Sequence, residues 1–222
     1  MDKIILDPKR PAKSCIIWLH GLGADGHDFA PIVDDLNILD KVAARFIFPH
    51  AEVRPITINN GAMMRGWYDI KEMADINQSV DIEGIQASVN AISNIIDQQI
   101  LLGVPSENII LAGFSQGGVI AINTLLQYPH KLASGIALSC YMPAWQHFKN
   151  LSHPKNKNTP ILQAHGSFDP IVPFFAGQEL TKDLKENGNP VKFHNFPMGH
   201  SVCPDEIKII GEFIINSLLV NL

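Results

Sequence analysis

One six-residue stretch, GFSQGG at residues 113–118, constrains this chain more than any other. The apolar residues 108–112 before it are typical of a buried strand, and the apolar residues 119–126 after it are typical of a helix. The chain must reverse between these two elements within a few residues, so glycines at 113 and 117 avoid collisions with neighbouring backbone. Such a turn presents the Ser115 hydroxyl at a helix N-terminus, where free N–H groups favour developing negative charge. The pattern therefore predicts that Ser115 is a nucleophile.

Length and composition are those of a globular chain. The 222 residues fit one α/β domain, which we expect to span residues 1–222, and 46% of them are hydrophobic against 18% charged. The net charge of -5 argues against nucleic acid as a partner, and no Lys/Arg cluster indicates a polybasic membrane anchor.

The termini and cysteines indicate the compartment. The first residues lack an apolar run of signal-peptide length, and no stretch approaches the length of a transmembrane helix. The three cysteines are an odd number and are widely spaced, without the spacing of metal ligands. We therefore expect unpaired thiols, no bound metal and a cytoplasmic location.

Strand-like and helical patterns alternate along the chain. Residues 79–102 carry isoleucines and a valine at helical spacing, for example, while short apolar runs elsewhere read as strands. This alternation predicts an α/β fold with a mainly parallel central sheet and helices on both faces. The strand-like runs are residues 14–19, 43–49, 108–112, 133–139, 160–165 and 191–196.

Residues 51–78 form a long segment with few periodic apolar positions, which we expect to be irregular. Loops of this length inside a compact domain are usually functional or mobile. The segment carries Met63, Met64, Trp67 and Tyr68, which predicts a lid or an acyl-binding surface, although such side chains are often simply packed.

Tyr141 and Met142 are two further candidates for the pocket. They follow the strand-like run 133–139, which we expect to end beside the Ser115 turn.

A serine nucleophile needs a base, and the base needs a carboxylate to orient it. Asp169 lies in a loop after the run 160–165, and His200 lies in a loop after the run 191–196. They follow Ser115 in the order expected for a nucleophile on this kind of strand–turn–helix. Among the nine histidines, His20 and His165 lie at strand ends, where we expect them to hold loops through hydrogen bonds.

A glycine-rich loop at residues 20–29 follows the strand-like run 14–19. By position, Leu22 is the expected donor of one backbone N–H to the oxyanion of the reaction. The alternative is a glycine-rich loop without a catalytic function, but its combination with the Ser115 turn favours the catalytic reading.

The complete set of motifs resembles the acyl-protein thioesterase, lysophospholipase and carboxylesterase family of α/β-hydrolases. The resemblance extends from about residue 20 almost to the C-terminus. The matching stretches are HGLGADGHDF at 20–29, GFSQGG at 113–118, HGSFDPIVP at 165–173, GH at 199–200 and the pattern of Met64, Trp67 and Asp69.

This resemblance implies a catalytic triad of Ser115, Asp169 and His200, with an oxyanion hole formed by the N–H groups of Leu22 and Gln116. It implies cleavage of ester or thioester bonds of acyl chains in lipids, acylated proteins or small esters, without a metal or organic cofactor. It also allows a homodimer, and transient contact with a membrane surface through exposed apolar residues such as Trp67 is a further hypothesis.

Two alternatives stay open at this point. A hydrolase of the same fold could cleave another acyl substrate, such as a lactone or a peptide. The chain could also be a catalytically inactive binding module, although such proteins usually lose a triad residue or the turn glycines, and this chain keeps them.

Overall fold

A seven-stranded sheet forms the centre of the protein. The structure, a computed structural model, describes residues 1–72 and 79–219. The strands are β1 (Lys3–Leu6), β2 (Ser14–Leu19), β3 (Ala44–Pro49), β6 (Ile109–Phe114), β7 (Ser134–Leu138), β8 (Ile161–Gly166) and β9 (Val191–Phe196). The strand order is β1-β3-β2-β6-β7-β8-β9, and every neighbouring pair is parallel except the edge pair β1 and β3. The predicted mainly parallel sheet is confirmed.

Side chains that alternate along the buried strands feed two apolar cores. In β2, Cys15, Ile17 and Leu19 point into one core, while Ile16 and Trp18 point into the other. The helices are α1 (Ile32–Asp35), α2 (Ile82–Leu101), α3 (Gln116–Gln127), α4 (Trp145–Lys149), α5 (Phe174–Asn187) and α6 (Pro204–Leu219). Helices α2, α3, α4 and α5 cover the first core, and α1 and α6 cover the second. Helices on both faces of the sheet confirm the predicted α/β fold.

The segment 51–78 is more regular than the sequence analysis predicted. Strands β4 (Val53–Ile56) and β5 (Ala62–Arg65) pair antiparallel as a separate two-stranded sheet. Their connection passes through Asn60 and Gly61, both at positive φ (54° and 75°). Asn-Gly is a typical hairpin turn, so the expectation of an irregular segment was wrong over these residues. Residues 73–78 lie outside the described part of the chain, and a lid or acyl-binding function of the segment stays a prediction.

The carboxyl ends of the parallel strands meet at one edge of the sheet. The loops that follow β2, β6, β7, β8 and β9 all begin at this edge. This topology gathers sequence-distant loops at one place, as is usual for functional sites in α/β sheets. A single domain over residues 1–222 stays a prediction, because the described residues do not include the whole span.

Candidate active site

Ser115 occupies a strained turn between β6 and α3. Its backbone has φ 52° and ψ −121°, and its N–H donates to the Leu138 carbonyl oxygen at 2.8 Å. Conformations of this kind cost about 1–3 kcal/mol and persist only where the surroundings enforce them. A Cβ atom at Gly113 would lie 2.3 Å from the Gly117 carbonyl oxygen, and one at Gly117 would lie 2.4 Å from the Leu19 carbonyl oxygen. The two glycines are therefore required by close backbone approach.

Asp169 is held in a fixed orientation by its own loop. Its Oδ1 accepts hydrogen bonds from the N–H groups of Ile171 and Val172, both at 2.9 Å. Its Oδ2 lies 2.7 Å from Nδ1 of His200, on the loop after β9. A carboxylate only accepts hydrogen bonds, so the His200 proton lies on Nδ1 and leaves Nε2 as an acceptor.

The ring of His200 lies beside the Ser115 turn. Its centroid is 4.7 Å from that of Phe114, the residue that precedes Ser115. Within the described residues, no hydrogen bond joins the Ser115 hydroxyl to His200. The structure brings Asp169 and His200 together next to Ser115, and the joint action of the three as a triad stays a prediction.

Two buried histidines hold loops at this edge, as expected from their positions at strand ends. Nε2–H of His165 donates to the Val172 carbonyl at 2.9 Å. Nε2 of His20 accepts from the Ala51 N–H at 3.0 Å, so its Nδ1 carries the proton and donates to Gly21 at 2.7 Å. Burial lowers the pKa of both rings. Both histidines are therefore neutral loop supports near neutral pH.

The two expected oxyanion donors lie on adjoining loops. Leu22 follows Gly21, where a Cβ atom would be 3.6 Å from Cβ of Ser115, and Gln116 is the first residue of α3. The backbone N–H groups of Leu22 and Gln116 donate to no other group among the described residues. Free N–H groups at a helix N-terminus are suited to bind an anion. That the N–H groups of Leu22 and Gln116 form an oxyanion hole stays a prediction.

The candidate pocket residues of the hairpin differ in exposure. Met63 is 64% exposed, whereas Met64 is half-buried, with Sδ 3.8 Å from a Cβ position on Gly23. Trp67 is only 1% exposed, and its indole N–H donates to the His20 carbonyl at 2.8 Å. The hypothesis of membrane contact through an exposed Trp67 was therefore wrong. Its side chain is held in the core by that hydrogen bond and by the His20 ring.

The other candidate pocket residues are also buried. The hydroxyl groups of Tyr68 and Tyr141 are 3.1 Å apart, and burial raises the pKa of both phenols. Sδ of Met142 accepts from the Asn123 side chain at 3.0 Å. Whether these side chains contact a substrate stays a prediction.

The side-chain hydrogen bonds of Gln116 were not predicted from the sequence. Oε1 of Gln116 accepts from the Trp67 N–H at 2.8 Å, and Nε2 donates to the Tyr68 carbonyl at 2.7 Å. These residues are 49 and 48 positions apart in the chain, so no local pattern could have indicated the contact.

One group of side chains in the described ranges has the donor atoms of a metal site. Atoms of Asp25, His27 and His50 all lie within 4.8 Å of one another. Their hydrogen bonds give another account of the cluster. Oδ1 of Asp25 accepts from the N–H of His27, and Nδ1 of His50 accepts from the Gly26 N–H. Because Nδ1 of His50 accepts this hydrogen bond, the ring proton lies on Nε2, which is then not free for a metal ion. We regard the cluster as a support of the 20–29 loop.

The cysteines are unpaired thiols. Cys15 and Cys140 are buried, which raises the pKa of each to about 12, and Cys203 is partly exposed. Across residues 1–72 and 79–219, no helix combines the length and apolar character needed to cross a membrane.

The sequence matches one protein family over almost its whole length. A family model described as Phospholipase/Carboxylesterase matches residues 1–218. Acyl-protein thioesterase 1 from Neurospora crassa is 40% identical over 215 residues, which cover 91% of this chain and 86% of the relative.

Carboxylesterase SOBER1 from Arabidopsis thaliana is 37% identical over 205 residues, which cover 91% of this chain and 90% of the relative. Its crystal structure superposes with a TM-score of 0.88 at 36% identity, over 93% of this chain and 100% of that chain. The crystal structure of Zea mays acyl-protein thioesterase 2 gives a TM-score of 0.86 at 26% identity, over 98% and 99% of the two chains.

Proposed function

The chain belongs to the phospholipase/carboxylesterase family of α/β-hydrolases and is an ester or thioester hydrolase, and on that premise we propose that it acts through an acyl-enzyme formed on Ser115. The observation that carries this proposal is the 2.7 Å hydrogen bond between Asp169 and His200 beside a strained serine turn. That bond leaves Nε2 of His200 as an acceptor, which is what activation of a serine hydroxyl requires.

In the acylation step, Nε2 of His200 accepts the proton of the Ser115 hydroxyl while the serine oxygen bonds to the acyl carbon. The carbonyl oxygen becomes an oxyanion and accepts hydrogen bonds from the N–H groups of Leu22 and Gln116. Loss of one such donor typically costs roughly 3–4 kcal/mol of transition-state stabilisation. His200 then returns the proton to the departing alcohol or thiol as the bond to the acyl carbon breaks.

Deacylation repeats these steps with water in place of the serine. His200 takes a proton from water, whose oxygen attacks the acyl-enzyme, and the carboxylic acid leaves as Ser115 regains its proton. Throughout, Asp169 fixes the proton on Nδ1 and stabilises the charged imidazolium.

We extend the proposal to the acyl chain. Met63 and Met64 of the hairpin and Tyr141 and Met142 after β7 supply apolar surface near the turn. The buried side chains of Trp67 and Tyr68 support this surface from behind. Support comes from the proximity of Met64 to the loop of Leu22 and from the bond of Ser115 to the end of β7. The substrate is then an acyl ester or thioester of a lipid, a protein or a small alcohol.

A panel of p-nitrophenyl esters from acetyl to lauroyl tests this function. We expect kcat/KM to peak at medium or long chains, and Ser115→Ala to lower kcat by about 10⁴-fold or more because the nucleophile is gone. Ser134→Ala is the matched control, since Ser134 is a buried serine whose hydroxyl lacks a partner among the described residues and lies at the opposite end of β7. A fluorophosphonate probe should label the wild type and the control only.

The alternatives give different results in the same assays. A kcat/KM peak at acetyl would agree with Ser115 as the nucleophile but contradict the proposed acyl-binding surface. Faster turnover of lactones or peptides than of esters would favour another substrate class. Failure of any serine-dependent turnover and labelling would favour an inactive binding module. The homodimer and the cytoplasmic location expected from the sequence stay predictions.

A further inference from the structure

A short segment after β5 lies between the two loops that carry the proposed oxyanion donors. Residues 66–68 contact the 20–23 loop on one side and the start of α3 on the other. A Cβ atom at Gly66 would lie 3.1 Å from the Leu22 side chain and 3.6 Å from Oε1 of Gln116. We call residues 66–68 the bridging segment.

On the α3 side, the Gln116 side chain fixes the bridging segment with two hydrogen bonds. Its Oε1 accepts from the Trp67 N–H at 2.8 Å and its Nε2 donates to the Tyr68 carbonyl at 2.7 Å. All three residues are buried. The residue whose backbone N–H is a proposed oxyanion donor is therefore held in place by its own side chain.

On the other side, the Trp67 indole N–H donates to the His20 carbonyl at 2.8 Å, two residues before Leu22. The Gly23 N–H donates to the Arg65 carbonyl at 2.8 Å. Leu22 is thus held between two hydrogen bonds that both come from residues 65–67.

The rest of the core fixes Trp67 in turn. The Ser88 hydroxyl of α2 donates to the Trp67 carbonyl, and the rings of Trp67 and His20 have centroids 5.1 Å apart. Every polar group of Trp67, namely its N–H, its carbonyl and its indole N–H, therefore has a partner, and two of these partners belong to the 20–23 loop and to Gln116.

We propose that the side chains of Trp67 and Gln116 are positioning residues that set the spacing between the oxyanion donors of Leu22 and Gln116. The proposal rests on the proposed function, because it assumes that these two N–H groups bind the oxyanion. Neither side chain needs to touch the substrate for this effect. Oxyanion stabilisation depends on donors that already lie at hydrogen-bond distance from the developing charge. A small change in their spacing therefore reduces the stabilisation of the transition state.

Trp67→Phe tests the proposal, because it removes the indole N–H and keeps an aromatic ring in the core. We expect kcat to fall roughly 10- to 100-fold while KM changes less than about twofold, since ground-state binding does not use the hole. A trifluoromethyl ketone forms a tetrahedral oxyanion adduct with the active serine. The inhibition constant of this ketone should rise by the same factor by which kcat falls.

Trp18→Phe is the matched control. Trp18 is also fully buried, but its indole N–H has no hydrogen-bond partner among the described residues. Both variants should lower the melting temperature, because both remove buried apolar surface. Only Trp67→Phe should lower kcat and weaken inhibition by the ketone. Gln116→Met, which keeps the length of the side chain but loses both hydrogen bonds, should reproduce the kinetic effect of Trp67→Phe.

Three results would overturn the proposal. The first is equal kinetics for the two tryptophan variants. The second is a rise of KM without loss of kcat, which would assign Trp67 to ground-state substrate binding. The third is a loss of kcat without weaker ketone inhibition. Ser115→Ala distinguishes these failures from failure of the proposed function, because turnover that survives that substitution would refute the nucleophile itself.

Discussion

Replacing Asp169 with asparagine should inactivate the protein without unfolding it. Oδ1 of Asp169 accepts two backbone N–H groups, from Ile171 and Val172, so the asparagine oxygen must occupy that position. The asparagine NH2 group then takes the place of Oδ2, 2.7 Å from Nδ1 of His200 in the wild type. An NH2 group donates, so Nδ1 must become the acceptor and the ring proton moves to Nε2.

The size of the effect follows from that tautomer. A histidine with its proton on Nε2 cannot accept the proton of Ser115, and this change in a serine hydrolase lowers kcat by about 10⁴-fold. That factor corresponds to about 5.4 kcal/mol of activation free energy. The free energy of unfolding should change by no more than about 1 kcal/mol, because the two backbone hydrogen bonds to the side-chain oxygen remain.

Asp169→Ala is the comparison that separates catalysis from loop anchoring. It also leaves the N–H groups of Ile171 and Val172 without their acceptor, at about 1–3 kcal/mol each. We therefore expect similar inactivation by both variants in ester hydrolysis, but a clearly lower free energy of unfolding in urea only for alanine. Asp169→Asn with turnover within tenfold of wild type would refute the reasoning, because the base would then function without its carboxylate.

Two further predictions concern stability. Burial raises the pKa of Glu206 from 4.5 to about 7, so the folded state favours the protonated carboxyl. The stability that this protonated form contributes is fully present below pH 4.5 and is lost as the pH rises to about 7. Glu206→Gln should therefore raise the free energy of unfolding by up to about 3 kcal/mol near pH 8 and change it little near pH 4. If the variant and the wild type had the same urea denaturation midpoint at pH 8 as well as at pH 4, this prediction would be contradicted. Gly117→Ala should cost about 3 kcal/mol and abolish turnover, because its Cβ would lie 2.4 Å from the Leu19 carbonyl oxygen. Gly61→Ala is its control, since a Cβ atom there would have no described atom within 4 Å and only the positive φ opposes the substitution. If Gly61→Ala lowered the melting temperature as much as Gly117→Ala, the steric explanation would be contradicted.

The sequence predicted elements best where neighbouring residues specify them. The runs 14–19 and 191–196 correspond to the observed strands Ser14–Leu19 and Val191–Phe196. Both depend on local apolar character or alternation. Strand β1 was missed because four residues with partly exposed side chains at a sheet edge carry little signal.

The hairpin of β4 and β5 was missed for another reason. The Asn60-Gly61 dipeptide that marks its turn is present in the sequence, but the strands are four residues each and carry little alternation. Their stability depends on contacts elsewhere in the chain, such as the bond from the Gly23 N–H to Arg65. Such contacts cannot be inferred from the segment alone.

The sequence by itself determined the turn around Ser115, because the conformation of that turn depends on glycines two residues away on either side. Only the tertiary structure decided that Asp169 and His200, 31 residues apart, form a hydrogen bond. It also decided that Trp67 is buried against Gln116, 49 residues away, and is not a surface residue. The physical reason is that backbone strain and periodicity are local, whereas burial and side-chain hydrogen bonds depend on which distant segments the sheet brings to one edge.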